Sequence, residues 1–349
     1  MQKFAKIFFV LLQIIGTILA IALLLSILAC YVSPVKYWFL QFFGLFFPLI
    51  FIFNIIALAL FIYFKSKFTY ISLIALIISL FYVGRFFQFS SSGATNEETI
   101  KVITYNVHGF QNVSDGRVTY NEICDFLLAE DADIVCLQEY FTRGITNEIQ
   151  KKLRQTYKYM WGDYDDVILS KYPFINKQKI NAAGKKIIFS DINIDDKIIR
   201  VYSCHLQSTN FNPDDTQRRL TSNNSNYKRE LKRVIVNLRN GFRNRAKQID
   251  FIAQQISQSP YPTIVCGDFN DTPMSYTYQK MRKIMNDTFI EAGGGIPNTY
   301  RKLMSILRID FIFTDKNIAT KEYRVEKKIK YSDHYPVVVK LKINDEKRN

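Results

Sequence analysis

The first 96 residues contain no aspartate and no glutamate. Their cations are Lys3, Lys6, Lys36, Lys65, Lys67 and Arg85. All 31 acidic residues and 40 of the 46 basic ones follow, which leaves about +9 on the remainder of the chain. Cysteine is also sparse, at five residues, and no C-x-x-C pair occurs, so a structural zinc site is not expected. Cys30, Cys124, Cys136, Cys204 and Cys266 read as buried free thiols, most of them within apolar runs. Histidine is scarcer still, with His108, His205 and His334 alone. Internal repeats and low-complexity tracts are absent.

The acid-free region holds three long apolar segments at 7–32, 38–64 and 68–87. About 20 apolar residues are needed to cross a bilayer. The first two segments exceed this and the third just reaches it, so residues 1–87 are expected to form an anchor of about three transmembrane helices. The first is too long for the apolar core of a cleaved signal peptide. The segments lack intramembrane acids, which argues against a transporter or channel. The positive-inside rule, applied to Lys3, Lys6, Lys65 and Lys67 against Lys36 and Arg85, keeps the N-terminus in the cytoplasm. Three spans then place the large C-terminal domain outside it. The chain is accordingly expected in a bacterial inner or plasma membrane, with residues 88–99 as a polar linker and 100–349 as one large domain.

After the linker, short β-rich runs at 101–105, 134–137, 167–169, 186–193, 198–203, 263–266, 309–314 and 337–341 alternate with helical patterns at 122–129, 229–256 and 276–285. This predicts an α/β domain built either from two sheets flanked by helices or from one mixed sheet. Polar residues capable of chemistry recur at the strand ends, where open α/β folds bind ligands. Asn106, Glu139, His205 and Asp268 each close a run, Asp310 opens one, and Asp333 and His334 precede another. A lone histidine is usually structural. Two histidines beside four carboxylates at repeated strand ends point to a site.

Six segments carry a more specific signal. They are Thr-Tyr-Asn-Val-His-Gly at 104–109, Leu-Gln-Glu at 137–139, Ile-Leu-Ser-Lys-Tyr-Pro at 168–173, His-Leu-Gln-Ser at 205–208, Gly-Asp-Phe-Asn-Asp-Thr-Pro at 267–273 and Ser-Asp-His-Tyr-Pro-Val at 332–337. In this order they resemble the endonuclease/exonuclease/phosphatase family of metal-dependent phosphohydrolases. That resemblance implies a four-layer sandwich of two packed mixed β-sheets flanked by helices, and a Mg²⁺-dependent hydrolysis of phosphoester bonds, with Mn²⁺ as a substitute ion. It implies Glu139 as a metal ligand, helped by Asn106 and Asp333 directly or through water. It implies that Asp268 activates the attacking water, that Asn270 holds a phosphoryl oxygen, and that His334, oriented by Asp310, acts as acid/base or charge stabiliser. His205 would clamp the phosphate or serve the leaving group. The aspartates at 165 and 166 depart from the family pattern, and one of them could pair with His205. His108 reads as structural or substrate-lining.

A basic stretch with apolar Leu231, Val234, Ile235 and Leu238 at helical spacing lies between His205 and Asp268, and it includes Arg218, Arg219, Lys228, Arg229, Lys232, Arg233 and Arg239. It reads as a solvated amphipathic helix, or as a surface for anionic lipid or a polyanionic substrate. The substrate classes left open are nucleic acid and a phospholipid or its headgroup. The alternative function is an inactive, membrane-tethered binding or scaffold domain.

Overall fold

The computed structural model describes residues 2–89, 97–112, 115–141, 147–163, 165–209, 227–302 and 306–344. Residues 90–96 of the expected linker, Tyr164, Arg218 and Arg219 lie outside the described residues.

The acid-free region forms helices α1 (Gln2–Ala29), α2 (Pro34–Tyr37), α3 (Leu40–Leu45), α4 (Phe47–Tyr63) and α5 (Thr69–Val83). The apolar segment at 38–64 is therefore not one helix, as its composition suggested. Phe46 leaves helical geometry at φ −93°, ψ 10°, and α4 restarts with proline in its first turn, at Pro48. Proline is tolerated there because first-turn N–H groups have no intrahelical acceptor, whereas it would break a helix interior. Among the described residues one helix, Lys6–Ala29, is long and apolar enough to cross a membrane, while α4 and α5 are shorter, at 17 and 15 residues.

Helices α1, α4 and α5 pack on one another. Small residues face inward: Gly16 lies under the Phe61 ring, and Ala20 and Ala75 join Leu23, Phe47 and Leu76 in a shared core. Asn54 is buried in the bundle and donates to Leu19 O at 2.8 Å and Ile50 O at 3.0 Å. The outward faces carry exposed apolar side chains, such as Ile7, Leu11, Ile18, Ile52, Phe53, Ile56, Ile74 and Phe81.

The remainder is built on two six-stranded mixed sheets. The strands are β1 (Ile100–Asn106), β2 (Ile134–Gln138), β3 (Tyr159–Gly162), β4 (Asp166–Ser170), β5 (Phe174–Ala182), β6 (Lys185–Ile194), β7 (Lys197–His205), β8 (Thr263–Asp268), β9 (Asn286–Asp287), β10 (Asp310–Thr314), β11 (Ile318–Val325) and β12 (Val337–Ile343). Sheet order is β11-β12-β1-β2-β4-β3 in one and β5-β6-β7-β8-β10-β9 in the other. Each sheet has a single parallel pair at its centre, β1 with β2 and β7 with β8, and antiparallel pairs elsewhere. The two sheets thus repeat one pairing pattern, although the sequence shows no repeat. Strands β3, β5, β9 and β11, absent from the sequence reading, are the four sheet edges; exposed Lys177 and Lys179 dilute the apolar signal in β5, and Lys321, Glu322 and Arg324 interrupt it in β11.

The central strands are apolar on both faces because both faces are covered. In β2, Ile134 and Cys136 point between the sheets, while Val135 and Leu137 pack under helices α6 (Tyr120–Glu130) and α7 (Asn147–Thr156). On the far side, β7 and β8 present Tyr202, Cys204 and Val265 to the buried half of a long helix, α8 (Tyr227–Ser257), through Ile249, Ile252 and Ile256. Four layers result, helices outside and sheets inside. All five cysteines are buried free thiols.

Gly267 fixes the close approach of β7 to β8 one residue before Asp268. Its φ is +145°, and a Cβ there would stand 1.9 Å from Cys204 O. The Gly267→Ala variant is expected to lose about 1–3 kcal/mol from the dihedral alone, with a further loss from the carbonyl clash. Denaturant unfolding of the full chain in detergent measures this, and an unshifted midpoint would contradict the packing described.

Candidate active site

Strand register assembles the site before any side chain is considered. In the parallel pair β7–β8, His205 sits beside Asp268, and across the antiparallel pair β8–β10, Asp268 sits beside Asp310. The other sheet brings Asn106, at the end of β1, level with Gln138, and Glu139 follows immediately. These ends meet between the sheets. Asn106 donates from Nδ2 to Glu139 Oε1 at 3.1 Å and to Asp268 Oδ2 at 3.0 Å, so one amide ties the two sheets together. Its Oδ1 accepts the His108 backbone N–H at 3.0 Å, which fixes the direction of the amide.

Asp268 is almost wholly buried. Its Oδ1 accepts the Asn270 N–H at 2.8 Å. Two imidazoles approach its Oδ2: His334 Nε2 at 3.8 Å and His205 Nε2 at 4.0 Å. Each imidazole is held from behind by a carboxylate. Asp310 Oδ2 lies 2.8 Å from His334 Nδ1, and Asp165 Oδ1 lies 3.3 Å from His205 Nδ1. Asp165 is the aspartate that pairs with His205, and Lys185 binds its other oxygen at 2.7 Å. His205 Nε2 is buried without a hydrogen-bond partner and faces Glu139 Oε1 at 3.8 Å as well as Asp268.

Burial opposes a charge on His205, but the hydrogen bond to Asp165 and the charge of Asp268 outweigh it and push its pKa up to about 9. His334 is likewise raised, well above the ordinary imidazole value, because the charges of Asp310 and Asp268 overcome its burial. Both rings are thus imidazolium near neutral pH and donate from both nitrogens. Burial, reinforced by the charge of Asp310, raises Asp268 to about 6 against the opposing pull of the two histidines. A carboxylate in that range releases and accepts a proton near neutrality.

His108, Glu139 and Asp333 form the second half of the site. His108 Nδ1 stands 3.5 Å from Glu139 Oε2 and 3.4 Å from Asp333 Oδ1, so both carboxylates converge on one point. Burial alone would raise Glu139, but the His108 hydrogen bond, the His205 charge and the Asn106 amide hold it at about 2. Glu139, His108 and Asn270 all adopt positive φ, at 55°, 49° and 52°. Such strained backbones cluster where a site over-determines geometry.

The Glu139 and Asp333 carboxyl groups, with no thiol among the residues beside them, suit a hard divalent cation that takes oxygen ligands. A second group, Asp268, Asp310 and His334, offers ligand atoms within 4.8 Å of one another. It suits a cation less well, since Asp310 is already bonded to a cationic His334. The Asn106 carbonyl oxygen is engaged by the His108 N–H, so Asn106 meets Glu139 as a donor.

All eight sequence-predicted residues gather here. Five of them, Glu139, Asp268, Asn270, Asp333 and His334, line a cleft of about 650 Å³; Asn106 and His205 contact Glu139 and Asp268, and Asp310 stands behind His334. Sequence reasoning underrated His108, whose position two residues past Asn106 was the available signal. It did not anticipate Tyr300, whose ring packs edge-on to His334 at 5.1 Å, nor the buried polar layer beneath the site. In that layer Thr104 donates to Gln138, Gln138 donates to Ser203, and Ser203 donates to Asp166, at 3.2, 3.1 and 3.3 Å.

The profile described as the Endonuclease/Exonuclease/phosphatase family matches residues 103–334. The chain belongs to this family. A second profile, described as a domain of unknown function, matches residues 6–86. No curated protein matches the chain. Among solved structures, the chain is similar to an endonuclease/exonuclease/phosphatase from Beutenbergia cavernae at 16% identity and TM-score 0.52, covering 71% of this chain and 72% of that one. It is similar to one from Bacteroides vulgatus at 17% identity and TM-score 0.52, covering 71% and 100%. It is also similar to D. rerio TDP2 complexed with a single-strand DNA product, at 15% identity and TM-score 0.52, covering 70% and 100%. These likenesses establish the endonuclease/exonuclease/phosphatase fold, with its two packed mixed sheets.

Within this endonuclease/exonuclease/phosphatase fold, Asp166 makes a prediction independent of catalysis. Burial raises its pKa to about 8, so it is protonated at neutral pH. A carboxyl that holds its proton more tightly when folded contributes its full stability below about pH 4 and loses it as pH rises toward about 8. Asp166→Asn is therefore expected to flatten the pH dependence of melting across that window and to raise the midpoint by several degrees at about pH 8. Thermal melts of the two proteins at several pH values check this, and a lower midpoint for the variant at the alkaline end would contradict it.

Proposed function

We propose that the chain is a membrane-anchored hydrolase of phosphoester bonds that works with Mg²⁺, with Mn²⁺ as a substitute. The observation that carries this is the pair of buried imidazolium groups aimed at Asp268, each fixed from behind by its own carboxylate. Two fixed cationic donors beside a carboxylate near its pKa suit a reaction that must deprotonate water and stabilise negative charge on phosphoryl oxygens.

In this reading Asp268 takes a proton from the attacking water as its oxygen bonds to phosphorus. The ester P–O bond breaks, and the leaving oxygen collects a proton. Asn270 uses one amide hydrogen on Leu206 O, at 3.1 Å, and keeps the second for a phosphoryl oxygen. His205, with its unpartnered Nε2–H, faces the phosphate or the leaving group. His334, oriented by Asp310, stabilises the charge that develops. Glu139 and Asp333 hold the divalent cation, with Asn106 positioning Glu139. The bound cation would neutralise phosphoryl oxygens and polarise the bond to be broken.

The anchor in this proposal is residues 1–87, followed by a linker at 88–99 and the catalytic domain at 100–349. Helices α1, α4 and α5 would span together, their exposed apolar faces meeting lipid. The catalytic domain docks at the end of the bundle formed by residues 30–45 and 82–88, opposite Lys65 and Lys67. The positive-inside rule then puts the domain outside the cytoplasm of a bacterial inner or plasma membrane.

The test uses the full chain in nanodiscs with bis-p-nitrophenyl phosphate, an abasic duplex and phospholipids, with Mg²⁺ or with EDTA. Turnover is expected with Mg²⁺, and Asp268→Ala, Glu139→Ala and His334→Ala are each expected to lower kcat by roughly 10²–10⁴. Turnover that survives EDTA and Asp268→Ala would sink the mechanism. A chain that neither turns over any of these nor binds Mg²⁺ would favour the inactive scaffold. A separate check is extraction: the protein should stay with membranes through an alkaline carbonate wash, and release by that wash would remove the anchor.

A further inference from the structure

The cleft is lined by two unlike sets of residues. One is Asp268, Asn270, Glu139 and His334. The other is Leu45, Phe46, Pro48, Leu49 and Phe86 of the N-terminal segment, with Val234 and Leu238 of α8. Hydrocarbon therefore covers a large part of a pocket whose polar set is built for an anion.

This wall is fixed in place. Arg85 donates to Pro273 O at 3.0 Å and to Gln279 Oε1 at 2.7 Å. Arg243 donates to Val35 O at 2.9 Å, and Gln41 Oε1 accepts the Tyr276 N–H at 3.3 Å. Phe42 packs edge-on against Phe242 at 5.6 Å. Gly44 lies so close to the backbone after the catalytic loop that a Cβ would stand 2.3 Å from Met274 O. These contacts fall on the segment 273–279, which follows closely on Asp268 and Asn270, and on α8. The apolar wall and the loop after Asp268 are thus joined directly.

The wall also continues out of the cleft. Leu49, Ile52, Phe53 and Ile56 fall at i, i+3, i+4 and i+7 on α4, and all four are exposed, at 39%, 52%, 52% and 49%. That spacing makes one stripe along one helix face. The stripe runs from the cleft along α4, away from the catalytic domain, into the apolar surface of the bundle. On the opposite lip, α8 exposes Leu231 and Ile235 beside the exposed cations Lys228 and Lys232. Apolar side chains with flanking lysines suit the boundary between acyl chains and anionic headgroups.

We propose that the substrate is an amphiphilic phosphoester drawn laterally from the bilayer, its phosphate beside Asp268 and its hydrocarbon chain laid along Leu45, Phe46 and Leu49 toward the α4 stripe. This rests on the hydrolase reading above and adds the substrate class to it. A nucleic-acid strand carries a phosphate on every nucleotide and needs cations along its path. Of the cations lining this cleft, Arg245 and Arg308 are already paired with Asp271 and Asp287, and the wall from the N-terminal segment carries none. A cleft of about 650 Å³ with a largely apolar lining and a few convergent polar groups is the size and character of a small-ligand pocket.

The test compares two chromogenic phosphodiesters with the same leaving group, methyl and hexadecyl p-nitrophenyl phosphate. The full chain is assayed in nanodiscs with Mg²⁺, alongside binding competition by methylphosphonate and hexadecylphosphonate. The hexadecyl compounds are expected to win by at least roughly 100-fold in kcat/KM and in competition, since buried methylenes each add to binding. Partitioning into the nanodisc could mimic that preference, so the deciding comparison is with Phe46→Ser and Leu49→Ser. Both side chains are partly exposed, which limits the cost to folding. Each variant is expected to cut the hexadecyl-to-methyl ratio by roughly tenfold or more. A ratio near one in the parent, or a ratio the variants leave unchanged, would overturn the lipid inference while keeping the hydrolase. Chain-selective phosphonate binding that the variants weaken, without turnover of either ester, would keep the lipid site and sink the hydrolase reading. Neither turnover nor binding would overturn both.

Discussion

The amide of Asn106 joins the two sheets by donating to Glu139 on one side and Asp268 on the other. A buried amide must satisfy its donors, and it can do so here only while the ends of the two parallel strand pairs stay level. That requirement fixes the separation of the Glu139–Asp333 half of the site from the Asp268–His205–His334 half. The polar layer of Thr104, Gln138, Ser203 and Asp166 lies just below and passes the same constraint deeper between the sheets. Apolar packing holds the sheets together without choosing a register along the strands. These few directional bonds choose it.

The electrostatics follow from that enclosure. With water excluded, each charge at the site needs a partner within a few ångströms. His334 has Asp310, His205 has Asp165, and Glu139 has His108. The site is therefore a set of ion pairs sharing edges, and the result is two cationic donors and one carboxylate near neutrality. The matching topology of the sheets sets a parallel pair at the centre of each, so the strand ends that carry chemistry meet across a common gap.

The N-terminal bundle is bound into this arrangement. Its contacts fall on the loop after Asn270 and on α8, so the wall of the cleft and the loop that follows Asp268 share one foundation. The break at Phe46, before Pro48, turns the chain so that Leu45, Phe46 and Leu49 border the cleft. A straight helix through 38–64 would carry those side chains past it. Arg85, which reads in the sequence as a boundary charge, serves instead as the clasp between α5 and the domain.

Much was legible in the chain because it depends on local pattern. The central strands are short apolar runs whose two faces are both covered, and the residues at their ends stand out because histidine is scarce and acids recur. The clean lack of Asp and Glu through the first 96 residues marks off the apolar bundle. Those features, with the family resemblance carried by six short segments, pointed to the fold class and to the residues that the structure brings together. The edge strands β3, β5, β9 and β11 were not legible, since they are very short or interrupted by charged and polar residues and so carry a weak apolar signal. The choice of Asp165 over Asp166 as partner of His205, the convergence of Glu139 and Asp333 on His108, and the apolar wall from residues 45–49 belong to the tertiary structure. Each is a contact between segments far apart in sequence, set by strand register and by the way one helix breaks, and no local pattern encodes the distance between two such groups.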